Sequence, residues 1–185
     1  MTDSAFRAMS VEEYLRTEEQ GVLKHEYVNG FMYALHGQAG ASDAHATITG
    51  NVFAALRLLA RRQSCFAYAA DMRVTTADRR TYYYPDVLVT CEPREDDAKF
   101  KVAPCLLVEV LSKSTAHTDH NAKYHAYTAL PSLQTYLLIE QGERRVYAYG
   151  RGDTGWELRE YSTEAVPLPC LGASLSLDEI YEDVR

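Results

Sequence analysis

The chain has 185 residues, 46% of them hydrophobic and 24% charged, enough to bury a core without metal or disulfide staples. Its net charge of −7 argues against a protein that coats nucleic acid, while leaving room for an enzyme with a local basic patch and an acidic metal site. There is no run of roughly 18 apolar residues and no basic stretch leading into an apolar one near Met1, so neither a membrane span nor a signal peptide is expected.

In chain order, Ser10-Val-Glu-Glu13 matches a capping box and predicts a short helix from Val11 to about Glu18. KHEYVNGFMYAL (24–35) predicts two short strands around a turn at Asn29-Gly30. From about Asp43 to Arg62, Ala44, Ile48, Val52, Ala55, Leu56 and Leu59 recur at helical spacing, and Arg57, Arg61 and Arg62 suit a helix C-terminus. Strand-like segments follow at 65–69 and 71–76, then TYYYPDVLVT (81–90), where Pro85 marks a strand start or bulge.

A charged loop leads to PCLLVEVLSKST (104–115), and a helix is expected from about Thr115 to Ala129, ending before Pro131. LQTYLLIE, RRVYAYG and WELREYS read as three antiparallel strands, and SLSLDEIYEDV closes the chain as a short helix. The order predicts an α/β fold, a mixed sheet with helices against it. No repeat or Pro/Ser-rich linker divides it, so residues 1–185 are expected to form a single domain. Cys65, Cys91, Cys105 and Cys170 are scattered without a CxxC pair, which suggests buried free thiols in a reducing cytoplasm.

Chemistry enters with Glu109. Leu106, Val108 and Val110 point to one side of the 104–110 strand, and Leu107, Glu109 and Leu111 to the other. Both sides are apolar, as in a central strand covered on both faces. An ionised carboxylate there costs several kcal/mol unless it is paired, coordinated or protonated. The other carboxylate in an apolar strand is Asp86, behind Pro85. Two carboxylates at corresponding depths of adjacent strands repel unless a cation lies between them, and a hard cation such as Mg²⁺ takes one or two carboxylates plus water and phosphate. That arrangement suits metal-assisted phosphodiester hydrolysis.

PD, a loop, then VEVLS resembles the PD-(D/E)xK nuclease superfamily. More closely, MSVEEYL, HEYVNGFMYAL, YYYPDVLVT, PCLLVEVLSKST, TDHNAKYHAYTALPSLQTYLLI and SLDEIY resemble the Uma-type family of putative restriction endonucleases, nearly end to end. The resemblance implies a restriction-endonuclease-like core, a mixed sheet flanked by helices with additional antiparallel strands. It also implies Mg²⁺ (or Mn²⁺) held by Asp86, Glu109 and the Val110 carbonyl. The sequence departs from the superfamily pattern at Leu111, where lysine is usual. Lys113 and Lys123 are the alternatives, and the resemblance favours Lys123, which shares a helix face with Asp119 and Tyr127.

Glu26 and His45 match an acid and a histidine of the family and are supporting candidates. For Glu26 the plain alternative is a solvated strand carboxylate or one paired with Lys24; for His45, whose helix N-terminus disfavours protonation, it is helix packing or a satisfied hydrogen bond. Asp71 reads as a strand-opening residue. His117, His120 and His125 lack zinc-ligand spacing. The expected function is a metal-dependent endonuclease acting on DNA, cytoplasmic and homodimeric as nucleases of this fold often are. The alternative is a non-cleaving nucleic-acid-binding or regulatory protein that keeps the fold, favoured by the acidic charge and the missing in-strand lysine.

Overall fold

The computed structural model describes residues 8–35, 42–95, 98–112 and 116–184; Lys113 lies outside them. Strand β8 (Pro104–Val110) is buried at every position. It runs parallel to β9 (Thr135–Ile139) and antiparallel to β6 (Val87–Thr90), within a six-stranded sheet ordered β11-β10-β9-β8-β6-β3. Here β3 is Phe66–Ala69, β10 Val146–Arg151 and β11 Trp156–Tyr161. A parallel neighbour requires a crossover, and the chain makes it with a helix. That helix is α3 (Ala116–Thr118), a π-helical turn (Asp119–Lys123) and α4 (Tyr124–Thr128) in succession.

The alternation read from the sequence separates two cores. Leu106, Val108 and Val110 pack with Ile48, Val52, Leu56 and Ala60 of α2 (Asp43–Arg62). Leu107 and Leu111 pack on the other face with Tyr127, Leu130, Leu133 and Tyr136. Leu111 therefore serves as a core residue, and its N–H still donates to Ile139 at 2.8 Å. The position where the superfamily pattern carries lysine is filled by apolar packing.

Segment 81–90 is not one strand. Its first part is β5 (Thr81–Tyr83), in a five-stranded sheet ordered β2-β1-β5-β4-β7. In that sheet β1 is His25–Val28, β2 Phe31–Ala34, β4 Arg73–Thr75 and β7 Phe100–Lys101. Pro85 supplies no N–H to extend the ladder, so Tyr84-Pro85-Asp86 carries the chain from one sheet to the other. The β1–β2 hairpin turns at Asn29 and Gly30, with φ of 48° and 100°. Helix α1 (Val11–Gln20) has the expected capping box, and its Tyr14 stacks on Tyr27 with ring centres 4.9 Å apart.

The C-terminal segment is a two-stranded ribbon, β12 (Val166–Leu168) and β13 (Ala173–Leu175), followed by α5 (Leu177–Ile180). It packs on α2, whose Asn51 amide donates to the Ile180 and Glu182 carbonyls. The cysteines are paired, not free: Cys65 with Cys91, and Cys105 with Cys170. The β3–β6 register explains the first pair. Phe66 faces Thr90, so the next residues outward, Cys65 and Cys91, fall opposite each other with Cα atoms 4.1 Å apart. Among the described residues no helix is long and apolar enough to cross a membrane.

Truncating Leu107 leaves a cavity that two packed layers cannot close. Leu107→Ala is expected to lower unfolding stability by about 2–5 kcal/mol in urea titrations. Leu158→Ala, on exposed β11, should change it by less than about 0.5 kcal/mol. Equal effects would contradict the two-core arrangement.

Candidate active site

The structure gathers Glu26, Asp86, Glu109, Lys123 and His45 where the two sheets meet. Val87 faces Val108, so continuing the β6–β8 register by one residue sets Asp86 opposite Glu109. Glu109 points to the crossover helix. There Lys123 Nζ lies 2.9 Å from Glu109 Oε1, 3.1 Å from Asp119 Oδ1 and 3.6 Å from Glu26 Oε1. Tyr127 donates its hydroxyl to the same Glu109 oxygen at 3.0 Å.

The π-helical turn contributes to this convergence. Widened turns of this kind recur at functional sites. It runs from Asp119 to Lys123, and both of these residues are buried. Its carbonyl at Asp119 is anchored by the Tyr136 hydroxyl from β9. Glu26 arrives from β1 and accepts the Tyr84 N–H at 3.4 Å, which ties the hairpin to the Tyr84-Pro85-Asp86 link.

On the other side of Asp86, the Val110 N–H donates to Oδ2 at 2.7 Å and His45 Nε2 approaches the same oxygen at 3.4 Å. His45 is placed by the start of α2: Ser42 caps the helix by accepting the His45 N–H, and its hydroxyl bonds Gln141. The Gln141 amide in turn donates to the Leu111 carbonyl at 2.6 Å, which fixes the helix start against the end of β8.

Exposure orders the site from floor to mouth. The side chains of Asp119, Glu109 and Lys123 are 1%, 4% and 6% exposed, against 23% for Asp86 and 22% for His45. Burial pushes the Glu109 carboxyl well above the ordinary range, and the Lys123 charge opposes it. Glu26 is pushed up for the same reason. Despite its own burial, Lys123 is held protonated by the three surrounding carboxylates. Burial, then the Glu109 charge, keeps the Tyr127 phenol protonated and able to donate.

His45 departs from the sequence expectation. Its hydrogen bond to Asp86 raises its pKa, outweighing burial and so favouring the imidazolium. Glu26 pairs with Lys123, whereas Lys24 pairs with the exposed Asp71. His120 packs against Tyr147 and His125 against Tyr124. Asp119 and Tyr127 are the residues that sequence reasoning did not place in the site. Their signal was the i, i+4, i+8 spacing with Lys123, which alone does not distinguish a solvated helix face from a buried one.

Among the described residues, no group of three or more His, Cys, Asp or Glu side chains is arranged to hold a metal ion. In this arrangement the Asp86–Val110 corner is taken by the His45 ring, and Glu109 by Lys123 and Tyr127.

A crystal structure of a putative nuclease belonging to DUF820 from Anabaena variabilis shares this fold, with a TM-score of 0.72 at 21% identity, covering 94% of this chain and 97% of that one. Two uncharacterized proteins of Synechocystis sp. are similar in sequence. One, slr1290, is 34% identical over 95% of this chain and 93% of its own length. The other, sll1609, is 36% identical over 89% of this chain and 93% of its own length. The profile of the Uma2 family, described as "Putative restriction endonuclease", matches residues 11–178, and the chain belongs to that family.

Proposed function

We propose that the protein is a Mg²⁺- or Mn²⁺-dependent endonuclease that hydrolyses DNA phosphodiester bonds at the Asp86–Glu109 centre. The observation that carries this reading is the charge imbalance: Glu26, Glu109 and Asp119 surround one ammonium, with Asp86 beside them. Asp86 and Glu109 offer carboxylate oxygens and Val110 a carbonyl oxygen, an all-oxygen set that suits a hard cation. Asp119 Oδ1 is buried without a hydrogen bond of good geometry, although it lies in ion-pair range of Lys123. These features fit a divalent ion, which Asp86, Glu109 and the Val110 carbonyl would hold.

When bound there, such an ion would supply Lewis-acid stabilisation of the phosphoryl oxygens and a lowered pKa for bound water. The chain's own groups do the rest. Lys123, kept as an ammonium, donates rather than accepts, so it orients the attacking water and offsets phosphate charge instead of acting as the base. Tyr127 holds Glu109 in place, and Glu26 positions Lys123 from the opposite side. His45, at the mouth, faces an incoming strand and contacts the scissile phosphate. Asp86 is the most open carboxylate of the set, so substrate approaches from its side.

Lys123 also weakens the case for a non-cleaving relative, because the ammonium missing from the strand is supplied by the helix. Cutting both strands of a duplex calls for two such centres, so the working unit in this reading is a homodimer.

Plasmid nicking with Mg²⁺ or Mn²⁺ tests the proposal. Asp86→Ala and Glu109→Ala should each lower the rate by at least about 100-fold, the scale of losing one charge-stabilising group. Calorimetric Mn²⁺ binding should disappear in Asp86→Ala. Retained nicking in both variants would sink the assignment.

Lys123→Met strands the buried Glu109 and Asp119 and the half-buried Glu26, and should cost about 3–5 kcal/mol in metal-free urea titrations. Adding Glu109→Gln should recover part of that loss. A neutral Lys123→Met variant would mean that the ion pairs seen here do not organise the site.

A further inference from the structure

At the end of the central sheet opposite Glu109, four cysteines from separate segments meet. Cys65 precedes β3, Cys91 follows β6, Cys105 lies in β8, and Cys170 sits in the 3-10 turn between β12 and β13. The two bridges touch: Cys91 Sγ is 3.9 Å from Cys105 Sγ. They also do different things. Cys65–Cys91 joins strands already held by a hydrogen-bonded ladder, whereas Cys105–Cys170 ties β8 to the C-terminal segment. Their accessibility differs too. Cys65 and Cys105 are buried, Cys170 is half-buried and Cys91 is exposed, so a thiol in solution meets Cys91 first.

We propose that this cluster is a thiol–disulfide exchange site, with Cys91 as its entry sulfur and a soluble dithiol as its reactant. One thiolate of the dithiol attacks Cys91 Sγ; the Cys65–Cys91 bond breaks and Cys65 leaves as a thiolate. The second thiol then displaces Cys91, and the dithiol departs as its cyclic disulfide. Two electrons have passed from the dithiol to the sulfurs of Cys65 and Cys91. The freed Cys91 thiolate attacks its neighbour Cys105 Sγ. A Cys91–Cys105 bond forms, the Cys105–Cys170 bond breaks, and Cys170 leaves as a thiolate that takes a proton from water.

The exchange moves a bridge from between β8 and the C-terminal segment to between β8 and the end of β6. The ribbon and α5 are then held only by packing and by bonds such as those from Asn51 and from the Tyr181 hydroxyl to the Glu140 carbonyl. The site is thus a switch on the anchoring of residues 166–184, entered at Cys91, the exposed residue of the four.

The experiment uses the full chain, titrated with dithiothreitol, quenched with iodoacetamide and mapped by non-reducing peptide mass spectrometry. At limiting reductant, a Cys91–Cys105 linked peptide should accumulate, with Cys65 and Cys170 alkylated in equal amounts. Cys65→Ser, checked for folding by circular dichroism, frees Cys91 without any reductant and should contain the Cys91–Cys105 bridge with Cys170 alkylated. The proposal is overturned if the wild-type chain never yields that linked peptide at any reductant ratio. It is overturned equally if air-oxidised protein carries four alkylatable cysteines.

Discussion

A single ammonium, that of Lys123, is enclosed by carboxylates from three separate elements: Glu26 on β1, Glu109 on β8 and Asp119 in the π-helical turn. An unpaired buried charge costs several kcal/mol, so the carboxylates depend on Lys123 and it depends on them. That mutual dependence is what fastens the five-stranded sheet, the six-stranded sheet and the crossover helix at one point. Opposite-charge pairing of this kind is seldom a net source of stability compared with apolar packing. Its presence here, beside a half-open Asp86, is better understood as the cost of keeping a charged centre at the junction.

The same contacts explain why the lysine stands on a helix. A lysine at position 111 would project from the end of β8 into the core that Leu111 now shares with Tyr127 and Leu133. Leu111 remains in the ladder with Ile139, so the strand continues past Glu109 and its side chain belongs to the core. The ammonium must then reach Glu109 from above the sheet. The crossover helix lies there because β8 and β9 are parallel. The topology that makes β8 a buried central strand therefore also supplies a second route for the cation.

Much of this was legible in the sequence, and for identifiable reasons. The alternation through 106–111 set Glu109 on the face opposite Leu106 and Val108, and the two cores follow that division. Pro85 marked the discontinuity before Asp86, but it did not reveal that Tyr82 and Leu88 belong to different sheets. Sheet membership depends on long-range pairing, which strand propensity does not encode. Asp119 and Tyr127 were visible only as neighbours of Lys123, because helical spacing fixes a shared face and not its burial. The cysteines misled most. Separations of 26 and 65 residues look unrelated in a linear chain, and only the β3–β6 register and the C-terminal ribbon's return bring the sulfurs together.

Strands β6 and β8 carry distinct chemistry at their two ends: Asp86 and Glu109 at one, Cys91 and Cys105 at the other. From Cys105 to Glu109 is four residues of β8, about 13 Å at the usual strand rise. A change in the disulfides reaches the carboxylates only if β8 itself shifts. Yet β8 is paired on both edges and packed on both faces, and close-packed cores resist small displacements. The element free to respond is the C-terminal segment, which leans on α2 near Asn51, less than two turns of helix beyond His45. Any influence of the sulfurs on the site would have to pass along α2 to the imidazole at its start, and not through the strand that links the two ends directly.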